Sequence, residues 1–289
     1  MVAGAFAKMR FGPAVLLHMR TAIVVFTKVP KAGETKTRLT TNRGGVLTLE
    51  EAQSFYEACL LDVINCCTAA LCGDVWICYN HDGDKAYLLS LLKGINQPDR
   101  IKGIYADQGG TFDQCMQYAA DYVLGKNGQE RLSEAVVIVG GDLPGLQPSI
   151  LKEAVSKLES LAMTKSDAVK NAEENVGAAV VEGACQEGGF SIIGYTYNTP
   201  FEFDQVFYNL SGITALDMVV DKVQTRGIPF GFVEMVPDVD IPVDLASMIP
   251  VVKGIELAAA YDKAVLPPAN TLRMLEDLGL AACAPPPRR

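Results

Sequence analysis

Histidine is nearly missing from this chain, which has only His18 and His81 among its 289 residues. Histidine-rich metal centres are therefore excluded, and a Ser-His-Asp triad has few candidates. No apolar stretch reaches the ~20 uncharged residues of a membrane span. Basic residues are outnumbered, 25 Lys and Arg against 34 Asp and Glu, for a formal net charge of -9. Nucleic acid is not expected as a partner, because binding its backbone needs a basic face that releases counterions. Paired C-x-x-C spacing is absent as well. The eight cysteines, Cys59, Cys66, Cys67, Cys72, Cys78, Cys115, Cys185 and Cys283, are expected to be reduced thiols in the core or at the surface. Acidic residues do not occur before Glu34, whereas Lys8, Arg10 and Arg20 precede it. Residues 1–20 are thus either an N-terminal extension of a cytoplasmic protein or an organelle-targeting segment. His81 stands in the turn-like run Asn80-His81-Asp82-Gly83-Asp84 and is expected to be a solvated loop residue.

What is present is a core. Hydrophobic residues make up 49% of the chain, enough to fill a large α/β domain without disulfide or metal staples. Short β-branched runs alternate with helical patterns, as in βαβ units. Strands are expected at Thr21 to Phe26, Val75 to Tyr79, Ile101 to Tyr105 and Ala135 to Val139, with helices at about 49 to 70, 84 to 93, 111 to 125 and 148 to 161. Further on the strict alternation fails. Strands at Gly177 to Val181, Gly189 to Tyr195 and Pro229 to Val233, with one helix at about 213 to 227, imply a mixed, mostly parallel sheet flanked by helices. The polar run Lys165 to Asn175 reads as a surface insertion. We expect one domain over 21–262, with a peripheral helix near 270 to 280 and a disordered tail within 263–289.

Chemistry concentrates where strands end. The run Ala135-Val136-Val137-Ile138-Val139 leads into Gly140-Gly141-Asp142-Leu143-Pro144, putting one carboxylate at the C-terminal end of a buried parallel strand, where open α/β sheets bind ligands. The first strand exits into Thr27-Lys28-Val29-Pro30-Lys31-Ala32-Gly33-Glu34-Thr35-Lys36-Thr37-Arg38. Gly33 permits an unusual turn, and Lys28, Lys31, Lys36 and Arg38 supply cations for a phosphorylated ligand. This is no Walker A loop, because Thr35 precedes Lys36 and Pro30 stands where the first glycine belongs. Downstream, Asp238 and Asp240 flank Val239 in a short extended piece; only one of the pair, Asp240, is expected to share a site with Asp142. Hard oxygen ligands without histidine suit Mg²⁺ or Mn²⁺. Glu187, before Gly188-Gly189, is a candidate acceptor-site base or hydroxyl-binding carboxylate.

The order of these motifs resembles the DUF2064 family, also called radical-SAM and selenodomain-associated transferase 1, within the nucleotide-diphospho-sugar transferase superfamily. The resemblance is carried by Val25-Phe26-Thr27-Lys28-Val29-Pro30 with Lys36-Thr37-Arg38-Leu39, by Gly140-Gly141-Asp142-Leu143-Pro144, by Glu187-Gly188-Gly189-Phe190 with Ile193-Gly194, and by Asp238-Val239-Asp240-Ile241-Pro242. It spans about 21 to 247. The resemblance implies a GT-A-like single domain with a Rossmann-like nucleotide-binding half. It also implies that Lys28, Lys36 and Arg38 contact nucleotide phosphates and that Asp142 and Asp240 hold the bridging Mg²⁺ or Mn²⁺. A transferase that moves a sugar from a nucleotide sugar to a small-molecule acceptor follows. The superfamily equally contains nucleotidyltransferases that use an NTP and release pyrophosphate, and a nucleotide-binding protein without turnover is the third reading. The family pattern has Asp where this chain has Glu187. It also carries an arginine that Gly110-Thr111-Phe112-Asp113-Gln114-Cys115 does not supply, so the departures fall on the acceptor side.

Overall fold

The computed structural model describes residues 19–163 and 176–281. Residues 1–18, the whole of the proposed insertion (165–175) and the C-terminal tail from 282 lie outside these. Seven strands form a single sheet: β1 (Thr21–Thr27), β2 (Asp74–Tyr79), β3 (Ile101–Ala106), β4 (Ala135–Gly140), β5 (Val180–Ala184), β6 (Phe190–Thr196) and β7 (Phe230–Val233). Their order is β3-β2-β1-β4-β6-β5-β7. β6 pairs antiparallel with both β4 and β5, and every other pairing is parallel. The expected mixed α/β sheet is what forms. β5 begins three residues later than the sequence suggests, because Ala178 and Ala179 pack in the core before the ladder starts and the amide of Ala179 is held by the Thr199 hydroxyl at 3.0 Å.

β1, between its terminal Thr21 and Thr27, and β4 are apolar and buried on both faces, as central strands of a parallel array require. One face is covered by α1 (Leu49–Ala70), α2 (Lys85–Leu91) and α4 (Pro148–Ala162), whose Leu60, Ile64, Leu88 and Leu158 pack on Ile23, Val25 and Val137. The other face lies under α3 (Phe112–Leu124) and α5 (Ala215–Thr225), with Val123 and Val219 against Val24, Ile193 and Tyr195. α1 starts at a capping box: the Thr48 hydroxyl accepts from the Glu51 amide at 3.1 Å, and the Glu51 carboxylate accepts from the Thr48 amide at 2.7 Å.

Two elements depart from expectation. The chain after Pro242 forms an 18-residue helix, α6 (Pro242–Ala259), whose largely apolar sequence gives little amphipathic signal. The C-terminal helix, α7 (Ala269–Asp277), is not peripheral. Its Leu272 and Leu275 pack with Phe55 and Cys59 of α1 and Leu245 of α6, and Asp62 of α1 accepts from the amides of Asn270 and Thr271 at 3.1 and 2.7 Å. A carboxylate from another helix thus satisfies donors that α7 leaves open at its N-terminus. Cys59, Cys66, Cys67, Cys72, Cys78, Cys115 and Cys185 are free thiols. No helix among the described residues is long and apolar enough to cross a membrane.

Candidate active site

Because β2 and β3 lie on one side of β1 and β4 on the other, the chain leaves β1 and β4 in opposite directions. The crevice at their C-terminal ends is the topological switch point of the sheet. A cleft of about 850 Å³ opens there, lined by residues from the β1 exit loop, the Gly140–Asp142 turn, the Gln186–Gly189 turn and the segment carrying Asp238 and Asp240.

The β1 exit loop is braced from within. Buried Thr35 accepts from the Lys31 amide at 3.2 Å and donates to the Lys31 carbonyl at 3.0 Å, while Asn80 accepts from the Val29 amide at 2.6 Å. Lys36 then adopts a left-handed backbone (φ 50°), a conformation that side-chain-bearing residues rarely hold and that clusters at functional sites. Its side chain, only 7% exposed, places Nζ 2.5 Å from Asp142 and 2.6 Å from Asp240, beneath the ring of Tyr56 at 5.5 Å. Arg38 pairs with the second oxygen of Asp240. Lys36 and Arg38 are therefore engaged with carboxylates in this state. Lys28 lines the cleft. Lys31 does not; it pairs with Glu34 at 2.5 Å, and Gly33 (φ 78°) shapes the turn away from the lining.

Gly140-Gly141 is required by close approach. A Cβ at Gly141 would meet the Thr27 and Tyr56 hydroxyls at 2.9 Å, and those two hydroxyls are hydrogen-bonded at 2.7 Å. Burial and the charge of Asp142 push the Tyr56 phenol up to about 12, so it remains a neutral donor beside the acidic cluster.

Asp238 corrects the expectation that only one of the two downstream aspartates joins Asp142. Carboxylate oxygens of Asp142, Asp238 and Asp240 all lie within 4.8 Å of one another. Alternate residues of an extended segment share a face; Val239 between them is fully buried against α6 and α7, which turns both neighbours toward the cleft. Asp244, in the first turn of α6, fixes this geometry by accepting from the amides of Asp240 and Ile241 at 3.0 and 2.9 Å.

The charges of the cluster do not cancel. Three carboxylates face two cations, Lys36 and Arg38. Burial would lower the Lys36 pKa, but Asp142 and Asp240 hold it well above the usual lysine range. Burial likewise works against ionised Asp240, and Lys36 and Arg38 outweigh it, keeping that carboxyl below its ordinary value. Asp238 has no such partner. Burial and the nearby Asp142 and Asp240 charges push it up to about 6. Oxygen donors with an unmet negative charge are the donor set that Mg²⁺ or Mn²⁺ takes.

Beside the cluster, the Gln186 side chain accepts from the Asp238 amide at 3.1 Å and donates to its carbonyl at 3.2 Å, and the next residue, Glu187, sits in a left-handed turn (φ 58°) followed by Gly188 (φ 73°). A Cβ at Gly188 would strike Thr214 at 2.6 Å, so the glycine admits the cap of α5. The Glu187 carboxylate is exposed to the cleft without a side-chain partner among the described residues. The aromatic side chains of Phe26, Phe112, Phe190 and Phe207 form a connected wall on this side, with Phe112 and Phe207 edge-to-face at 4.6 Å. That wall carried no sequence signal beyond scattered aromatics. His81 is the exposed loop residue expected. It stands in the predicted turn, and its Nδ1 lies 2.8 Å from buried Asp107 at the edge of the same cleft.

The fold is an α/β arrangement similar to that of nucleotide-diphospho-sugar transferases. A solved structure of a provisionally assigned nucleotide-diphospho-sugar transferase from Desulfovibrio desulfuricans G20 is similar over 90% of this chain and 95% of its own, with a TM-score of 0.65 and 21% identity. At that identity the likeness is one of fold. A cytidylyltransferase from Leptospira borgpetersenii serovar Hardjo-bovis aligns more loosely, at 13% identity and TM-score 0.46 over 91% of this chain and 96% of its own. So does a 4-diphosphocytidyl-2C-methyl-D-erythritol synthase from Anaerococcus prevotii, at 12% and 0.44 over 83% and 97%. No curated protein matches the sequence. The chain belongs to DUF2064, a family of uncharacterized proteins conserved in bacteria, which matches residues 63–210. That match contains Asp142 and Glu187 and lies between the basic loop and Asp238.

Proposed function

We propose that this protein is a metal-dependent transferase that takes a sugar from a nucleotide sugar and passes it to a small-molecule acceptor. The observation that carries this reading is the meeting of Asp142, Asp238 and Asp240 with Lys36 and Arg38 at the switch point of the sheet. The three aspartates would hold Mg²⁺ or Mn²⁺, which neutralises a departing diphosphate. Lys28 and Arg38, at the open side of the cluster, would bind the phosphate oxygens, and Lys36 would shift from the carboxylates toward phosphate as the divalent ion takes over their charge. Glu187, on the turn that Gln186 ties to Asp238, would accept the acceptor hydroxyl proton as that oxygen bonds to the anomeric carbon and the nucleoside diphosphate leaves; such a base typically contributes ~10² to 10⁴ in rate.

The test is product analysis by ion-exchange chromatography, with nucleotide sugars and with NTPs, in Mn²⁺. A nucleoside diphosphate formed by the parent protein and lost in Asp142→Asn is the expected result. Pyrophosphate from an NTP would replace glycosyl transfer by nucleotidyl transfer. Nucleotide binding without either product would leave a binding protein.

A further inference from the structure

A second group of donor atoms stands on the opposite rim of the cleft. His81 follows β2 by two residues, Asp107 follows β3 by one, and Cys115 lies in the first turn of α3. The ladder between β2 and β3 continues into this corner, with the Asp107 amide donating to the Tyr79 carbonyl at 2.7 Å. The Asp107 carboxylate is buried and accepts twice from His81, from the backbone amide at 2.8 Å and from ring Nδ1 at 2.8 Å. One imidazole nitrogen, one carboxylate oxygen and the Cys115 sulfur lie within 4.8 Å of one another, and all three residues line the cleft.

From this geometry we infer a transition-metal site, best suited to Zn²⁺, held by His81 Nδ1, Asp107 and Cys115 with a fourth position open to the cleft. The site is independent of the proposed sugar transfer and of the aspartate cluster. Its donors are the nitrogen, oxygen and sulfur that zinc takes, whereas Mg²⁺ has no use for a thiolate. Three protein ligands and one open position is the pattern of reactive rather than structural zinc. The spacing needs little change. Nitrogen and oxygen on a tetrahedral zinc with bonds near 2.0–2.1 Å stand about 3.3 Å apart, half an ångström beyond the present hydrogen bond. The backbone bond from the His81 amide to Asp107 stays in place and orients the carboxylate, as outer-shell hydrogen bonds do for metal ligands. On binding, the proton between Nδ1 and the carboxylate leaves, the imidazole staying neutral with its one proton on Nε2, and the thiol proton of Cys115 passes to solvent.

The experiment uses the full chain with Zn²⁺ alone, titrated against a chromophoric chelator, and Co²⁺ as spectroscopic probe. One Zn²⁺ equivalent is expected whose dissociation constant rises at least tenfold in both Cys115→Ser and His81→Gln. Co²⁺ should give a near-ultraviolet thiolate charge-transfer band that Cys115→Ser removes. Asp142→Asn should change neither result, which separates this site from the aspartate cluster. Unchanged Zn²⁺ affinity in Cys115→Ser, or Co²⁺ binding by the parent without the thiolate band, overturns the assignment. Both substituted side chains are at least partly solvent-exposed, and matching circular dichroism and melting curves establish that the variants fold.

Discussion

At the residue scale Lys36 is the keystone of the site, because it is the buried cation between two carboxylates. Lys36→Met should destabilise the protein, by less than the about 3–5 kcal/mol of breaking a fully buried pair, since both aspartates keep some solvent contact. Saturating Mn²⁺ should then raise the melting temperature of the variant more than that of the parent; equal shifts would show that the ion does not replace the ammonium. Glu182 poses a different problem. It is fully buried in β5, neither carboxyl oxygen has a partner among the described residues, and burial pushes it up to about 8 from an ordinary 4.5. Between those values the folded state keeps a proton that the unfolded chain has lost. Stability present in full below the ordinary value is therefore lost as pH rises, at about 1.4 kcal/mol per pH unit. Urea midpoints measured from pH 5 to 8 should show this slope in the parent and a flatter one in Glu182→Gln.

At the scale of elements, the segment from Val239 to Asp244 couples α6 to the cluster, and α1 couples α7 to the sheet. Asp62 caps α7 from a distance of 208 residues in sequence. Asp62→Ala should cost about 0.5–2 kcal/mol, the usual range for a lost helix cap. Hydrogen exchange should report it as faster exchange confined to 269–277; uniform acceleration over the whole chain would mean that α7 does not open locally. The turn after β4 is similarly constrained. Gly141→Ala must displace Tyr56 or Thr27, so it is expected to weaken binding of Mn²⁺ and nucleotide as well as lower stability, with equilibrium dialysis as the check.

For the whole molecule, the hydrophobic cluster under α1, α2 and α4 shares β1 and β4 with the cluster on the other face of the sheet and shares α1 with the cluster of α6 and α7. A single cooperative transition follows from that sharing. The one tryptophan, Trp76 on β2, packs edge-on against Tyr105 and Tyr122, so its fluorescence reports the sheet and far-ultraviolet circular dichroism reports the helices. The two unfolding curves should coincide in urea. A helical signal lost ahead of Trp76 would mark the α6–α7 layer as a separate unit. In a chain of net charge -9, the charges of Lys28, Lys36 and Arg38 at one cleft act only at short range, since charges beyond a Debye length of about 8–10 Å are largely screened.

The sequence by itself determined the alternation of strands and helices, because a period of two and a period of 3.6 leave different apolar patterns. It also located the basic loop, Asp142, Glu187 and Asp240, since charged residues beside Gly and Pro at strand ends break those patterns visibly. It left α6 unseen, because that helix is apolar nearly all round and shows no contrasting stripe. Only the tertiary structure decided that Asp238 joins the cluster, that Lys36 lies between carboxylates, and that His81, Asp107 and Cys115 meet. The shared face of Asp238 and Asp240 is local, the spacing of alternate residues in an extended segment, but their meeting with Asp142 and Lys36, like that of His81, Asp107 and Cys115, joins separate strand exits and helix turns whose distances follow from sheet order and helix docking.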